Sequence, residues 1–221
     1  MEIPTLRLEL YRQNPKQFAQ ELDYALRTTR VAQVSGLEQQ LVDDIFGYMQ
    51  ENVQNIRTLD TYLKNNFYLQ IFNFSPAYST TYIRRRGSKL NTFIKKIKKN
   101  LSEIAEAVTN ASVSLYEPIK KPKQLILARY YKKQGLTFPG DKKRKEMIEA
   151  HKDAEVPFVI TTPASAKGLE CRVGNQWVHL EPEKGHVLVL AGKYLESISD
   201  LKPLYHRVVY PKTDRYALLY L

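Results

Sequence analysis

The spacing of apolar positions divides the chain into two textures. In the first, apolar residues recur every three or four positions, the period of a helix with one buried face. Phe18, Leu22, Ala25 and Leu26 follow Asn14 and Pro15, a capping side chain and a proline suited to the first helical turn. That predicts a helix over 15–28. Leu41, Ile45, Phe46, Met49 and Val53 predict a second over 37–54. Leu90, Phe93, Ile94, Ile97, Leu101, Ile104 and Val108 predict a third over 88–111, with its lysines on the other faces. Two short strands are expected between them, IPTLRL at 3–8 and RVAQVSG ending at Gly36. The aromatic-rich run 66–83 fits neither period.

From residue 124 the pattern changes. LILARYY, VPFVITTP, LECRV, QWVHL, HVLVLAG, YHRVVYP and RYALLYL are short, rich in β-branched and aromatic residues, and separated by turn formers. Closely spaced strands of this kind build a sandwich or barrel. Strands following helices, rather than alternating with them, argue against a parallel α/β fold. The expected class is α+β: a single domain over 1–221, with a mainly helical part, 1–123, packed outside a β core, 124–221.

Composition adds limits. With only one cysteine, Cys171, no internal disulfide forms, which favours a reducing, cytoplasmic setting. No apolar run is long enough to span a bilayer. The formal charge is +11, and the excess lies in RRR (84–86), KKIKK (95–99), KKPK (120–123) and KKRK (142–145). Such runs attract anionic partners, nucleic acid and acidic surfaces among them, but are more often solvated faces. An anionic substrate and a basic binding module without turnover are both compatible with them. Oligomeric state leaves no trace in the sequence.

The candidate chemistry lies in EAHKDAEVPF, residues 149–158. His151 and Asp153 are two positions apart, so in an extended segment both point to one side. His206 follows 53 positions after Asp153, and Arg215 nine positions after His206, within the apolar run DRYALLYL. Two histidines and one carboxylate can occupy one face of an iron ion and leave the other open. A buried arginine needs an anionic partner. His179, His186 and Trp177 read as ordinary strand residues, and Cys171 as core.

These residues and the frame GLECRVGNQWVHLEPEKGHVLVLAGKYLESISDLKPLYHRV (168–208) resemble the isopenicillin N synthase-like family of iron(II)/2-oxoglutarate-dependent dioxygenases. The resemblance implies a double-stranded β-helix, a jelly roll related to the cupins. It implies Fe(II) on His151, Asp153 and His206. It places the far carboxylate of 2-oxoglutarate on Arg215, with Tyr131 as a second contact and Tyr130 as its competitor. Activity would couple O2 and 2-oxoglutarate decarboxylation to oxidation of a C–H bond in a small-molecule or peptide substrate. Three departures stand out. The family's Arg-x-Ser reads Arg215-Tyr216-Ala217; Arg129 stands where Asn is common; and the chain ends six residues after Arg215, which predicts a more open site.

Overall fold

The computed structural model describes residues 2–52, 60–64, 67–74, 88–116, 126–131, 146–154 and 156–220. For residues 52, 60–64, 67–74, 88–91, 94 and 126–131 the description is of the backbone alone. In chain order the elements are β1 (Thr5–Leu6), α1 (Leu8–Gln13), α2 (Pro15–Thr29), β2 (Val31–Ser35), α3 (Gln39–Asn52), β3 (Asp60–Lys64), β4 (Phe67–Phe74) and α4 (Ser88–Val113). Then come β5 (Ile126–Tyr131), β6 (Glu146–His151), β7 (Phe158–Thr161), β8 (Leu169–Val173), β9 (Gln176–His179), β10 (His186–Ala191), α5 (Lys193–Ile198), β11 (His206–Val209) and β12 (Arg215–Tyr220).

The strands form two sheets. The larger runs β1-β2-β10-β7-β12-β5-β4-β3, and the smaller β6-β11-β8-β9. Apart from the parallel β1–β2 pair, the pairing is antiparallel. This is the expected α+β double-stranded β-helix. Alternation along the larger sheet explains the layering. Ala32, Val34, Phe158, Ile160, Val187, Val189, Tyr216, Leu218 and Tyr220 face α2, α3 and α4 and share one core with them. Their alternates, Val31, Val159, Leu188, Leu190 and Ala217, face the smaller sheet and pack on Leu169, Cys171 and Val208. The space between the sheets therefore lies behind a helix-braced wall.

The helices follow their patterns closely. Asn14 accepts a hydrogen bond from the Gln17 amide at 3.1 Å and Pro15 opens α2. Arg30 closes it in the left-handed region, at φ 63°. Ile97, Leu101, Ile104 and Val108 of α4 are fully buried. Asn100 on the same helix clamps the turn after β2: its amide donates to the Gly36 carbonyl at 2.8 Å and its oxygen accepts from the Glu38 amide at 2.9 Å.

Three local expectations change. The strand expected over 3–8 is only Thr5–Leu6, and the chain turns into α1 at Leu8. Leu8 fits there because Gly36, at φ +104°, has no side chain; a Cβ on Gly36 would lie 2.8 Å from Leu8 Cδ2. The helical first part also contributes β1–β4 to the larger sheet. The 66–83 run holds β4, which pairs with β5 and carries β3 on its other side. Val53 and the basic runs at 84–86, 120–123 and 142–145 lie outside the described residues.

Candidate metal centre

The smaller sheet sets the geometry of the candidate metal site. In the β6–β11 pair, His206 lies opposite His151, so both imidazoles leave adjacent strands at the same level. Asp153 follows two residues past β6, and its carbonyl is held by the Lys193 amide at 2.7 Å. The result is a compact group: one ligand atom from each of His151, Asp153 and His206 lies within 4.8 Å of the others. His151 Nε2 is 3.6 Å from Asp153 Oδ1, and His206 Nε2 is 3.5 Å from Oδ2. The two rings are 4.4 Å apart at their centroids and inclined by 54°.

The other ring nitrogens are tied to the backbone. His151 Nδ1 is 2.8 Å from the Glu149 carbonyl, and His206 Nδ1 is 3.2 Å from that of Leu204. A carbonyl only accepts, so each Nδ1 carries a proton, which leaves Nε2 as the ring atom on the Asp153 side. That second contact fixes the tautomer and ring orientation of a metal-ligating histidine. The donor set of two imidazoles and one carboxylate, grouped on one side, suits a divalent iron with open positions opposite.

An arginine-backed brace holds the smaller sheet together. Arg207, beside His206, reaches Glu146 on β6 at 2.6 Å and Glu170 on β8 at 2.8 Å. Its guanidinium lies 4.1 Å over the Trp177 ring, and Trp177 in turn packs on Tyr205 at 5.7 Å. Trp177 is therefore a packing residue, as its sequence context suggests. Cys171 is fully buried opposite His206, and burial pushes its thiol up from the ordinary value. His179 pairs with Glu181 at 3.2 Å, away from the triad.

A cavity of about 190 Å³ opens between the sheets. In the same measure one water needs roughly 10–15 Å³, so the space is ligand-sized. His151, Asp153 and His206 line it together with Arg215, Thr161 and Ala217; most other lining residues are aliphatic, among them Val159, Leu190 and Leu219. Arg215 opens β12 and is only 4% exposed. Its Nε donates to the Ala166 carbonyl at 3.1 Å. A second constraint comes from Gly168: a Cβ there would lie 3.1 Å from Arg215 Cδ and 3.3 Å from the Val209 carbonyl. A cation inside an aliphatic wall suits a carboxylate ligand.

The backbone of Tyr131 pairs with that of Arg215, and Arg129 with Ala217. The side chains of Tyr130, Tyr131 and Arg129 lie outside the described residues. Sequence reasoning passed over Thr161 and Gly168. Thr161 had a signal: in FVIT it falls on the inward phase of Val159, where a polar residue is unexpected.

The family model of the 2OG-Fe(II) oxygenase superfamily matches residues 122–221. No curated protein matches the chain. Among solved structures, the 2-oxoglutarate complex of dioxygenase for auxin oxidation 1 from Arabidopsis thaliana superimposes with a TM-score of 0.76 at 17% identity, over 100% of this chain and 92% of that one. A full-length Neurospora crassa protein, in complex with alpha-KG and 5-formyluracil, gives 0.73 at 12% identity, over 99% of this chain and 83% of that one. At these identities the likeness is one of fold. Residues 122–221, the part that carries His151, Asp153, His206 and Arg215, match the family model of the 2OG-Fe(II) oxygenase superfamily.

Proposed function

We propose that residues 1–221 act as one dioxygenase domain that oxidises a C–H bond of a small, anionic molecule at the expense of 2-oxoglutarate and O2. The observation that carries this reading is a His–Asp–His group and a buried arginine lining one cavity. The frame from 168 to 208 supports placement in the isopenicillin N synthase-like branch.

Each residue has a task. His151 and His206 present their Nε2 atoms, held in place by Nδ1–H bonds to backbone carbonyls. Asp153 adds the negative charge that favours a divalent ion. Bound iron and the keto acid would supply oxygen activation and the two electrons that substrate oxidation alone does not provide. Arg215 would orient the keto acid by its far carboxylate, with Tyr131 alongside. Val159, Leu190 and Leu219 exclude water from the space between. The net charge of +11 supports an anionic substrate, and the single cysteine supports a cytoplasmic setting for the protein. Among the described residues, no helix is long and apolar enough to cross a membrane.

Anaerobic dialysis against Fe(II) tests the metal assignment. The native chain should take up one ion, and His206→Ala and Asp153→Ala should lose it while keeping native circular dichroism. Equal uptake by all three proteins would refute the assignment.

A further inference from the structure

Ala217 removes one hydroxyl from the motif that would hold the far carboxylate of the keto acid, yet a different hydroxyl lines the same cavity. We propose that Thr161 donates that hydrogen bond, from the neighbouring strand β7, in place of the side chain at 217. The proposal rests on the 2-oxoglutarate reading above.

Three observations lead to it. Thr161 pairs with Leu219 across β7 and β12, which sets it diagonal to Ala217 on the same face. It is 4% exposed and lines the cavity together with Arg215, Ala217 and the triad. A second, much smaller cavity of about 10 Å³, roughly the size of one water, is also lined by both Thr161 and Arg215, so the two residues border the same two spaces.

The hydroxyl is also poorly used where it stands. It lies 3.3 Å from the Thr162 carbonyl and 3.4 Å from that of Leu218. Hydroxyl hydrogen bonds are normally about 2.5–3.0 Å long. A buried hydroxyl with only such long contacts is costly, and a carboxylate in the cavity would relieve the cost. The neighbouring hydroxyls do not line the cavity: Ser165, whose Oγ accepts from the Tyr216 amide at 2.8 Å, and Thr162, whose Oγ1 is 3.1 Å from the Pro163 carbonyl, are absent from its wall. Val at 161 would satisfy the wall's packing as well as Thr does, so packing alone does not explain the choice.

The test compares two keto acids under anaerobic conditions with Fe(II) bound, reading Kd from the visible charge-transfer band. 2-Oxoglutarate has the far carboxylate; 2-oxopentanoate has the same carbon chain without it. Thr161→Val should weaken 2-oxoglutarate about tenfold or more, the usual effect of losing a hydrogen bond to a charged group. Thr161→Ser should stay near the native value, and 2-oxopentanoate should bind both proteins alike. An unchanged Kd for 2-oxoglutarate overturns the proposal. So does an equal loss for both acids, which would make Thr161 a wall residue only. If Thr161→Val does not fold, Ala217→Ser in the native chain decides. With Thr161 already donating, the added serine changes Kd less than about threefold; a gain of tenfold or more would show the donor was missing. A native protein that holds iron but shows no band with 2-oxoglutarate refutes the functional reading, and Thr161's role with it.

Discussion

Replacing Arg207 with Ala should destabilise the protein far more than a surface ion pair would, and should weaken iron binding as a consequence. Nε and Nη2 of Arg207 both reach Glu170 Oε2 at 2.8 Å, and Nη1 reaches Glu146 Oε1 at 2.6 Å. The three side chains are 17%, 22% and 27% exposed, between the surface and buried cases. Exposed pairs contribute about 0–1 kcal/mol, while breaking a fully buried pair costs about 3–5 kcal/mol because a charge is left uncompensated. Here removal strands two carboxylates on either side of β11 and also removes the contact with Trp177. A loss of about 2–4 kcal/mol follows from those limits. For a chain of 221 residues, about 1 kcal/mol corresponds to roughly 2–4 °C in Tm. The carboxylates flank the strand that places His206 opposite His151, so Fe(II) affinity should fall as well. The assay is urea unfolding of the native chain, Arg207→Ala, and Arg207→Ala combined with Glu146→Gln and Glu170→Gln. Neutralising the carboxylates should recover part of the loss. If Arg207→Ala costs under about 0.5 kcal/mol, or the triple variant is no better than the single, the brace is a solvated surface pair and the argument fails.

Two further outcomes follow from the packing. A Cβ on Gly192 would lie 2.1 Å from the Val156 carbonyl oxygen, so Gly192→Ala must move the backbone between Asp153 and Phe158. Stability should fall by about 1–3 kcal/mol or more and Fe(II) uptake with it, as dialysis and urea unfolding would show; native uptake would contradict the role given to that approach. Burial raises the phenols of Tyr216 and Tyr220, with Asp214 adding to the first and a Ser102 hydrogen bond opposing in the second. Their folded state favours the neutral form, so their contribution is complete below the ordinary phenol value of about 10. It is lost as pH rises above that value, because the unfolded chain releases those protons first. The urea midpoint should therefore drop as pH rises above about 10, and less so in a Tyr216→Phe, Tyr220→Phe double variant.

Much of this architecture is written in local signals. The stripe on α4 and the Asn14–Pro15 start of α2 are helix chemistry that needs no tertiary context. The alternation in HVLVLA and RYALLY separates residues of the helix-facing core from those of the cavity. The grouping of His151 with Asp153 was legible because an i, i+2 pair needs only an extended backbone to converge; His206 joins them through its place in the β6–β11 pair. What escaped depends on neighbours. β6 reads EMIEAH, polar enough for a turn, and is a strand because β11 pairs with it and Arg207 holds Glu146. β3 and β4 depend on the open edge of β5. α1 begins where Leu8 finds the space over Gly36. Thr161 and Gly168 have meaning only beside Arg215, 54 and 47 residues further along the chain.

The central claim is that the His151–Asp153–His206 group and Arg215 serve one keto acid bound to one iron. The most direct measurement is an anaerobic titration of the iron-loaded protein with 2-oxoglutarate, followed by visible absorption. The account predicts a weak charge-transfer band that saturates at one equivalent per chain. It also predicts that the band persists in Arg215→Met only at much higher 2-oxoglutarate concentration. A protein that binds iron but shows no band, or an Arg215→Met variant that titrates like the native chain, would contradict it.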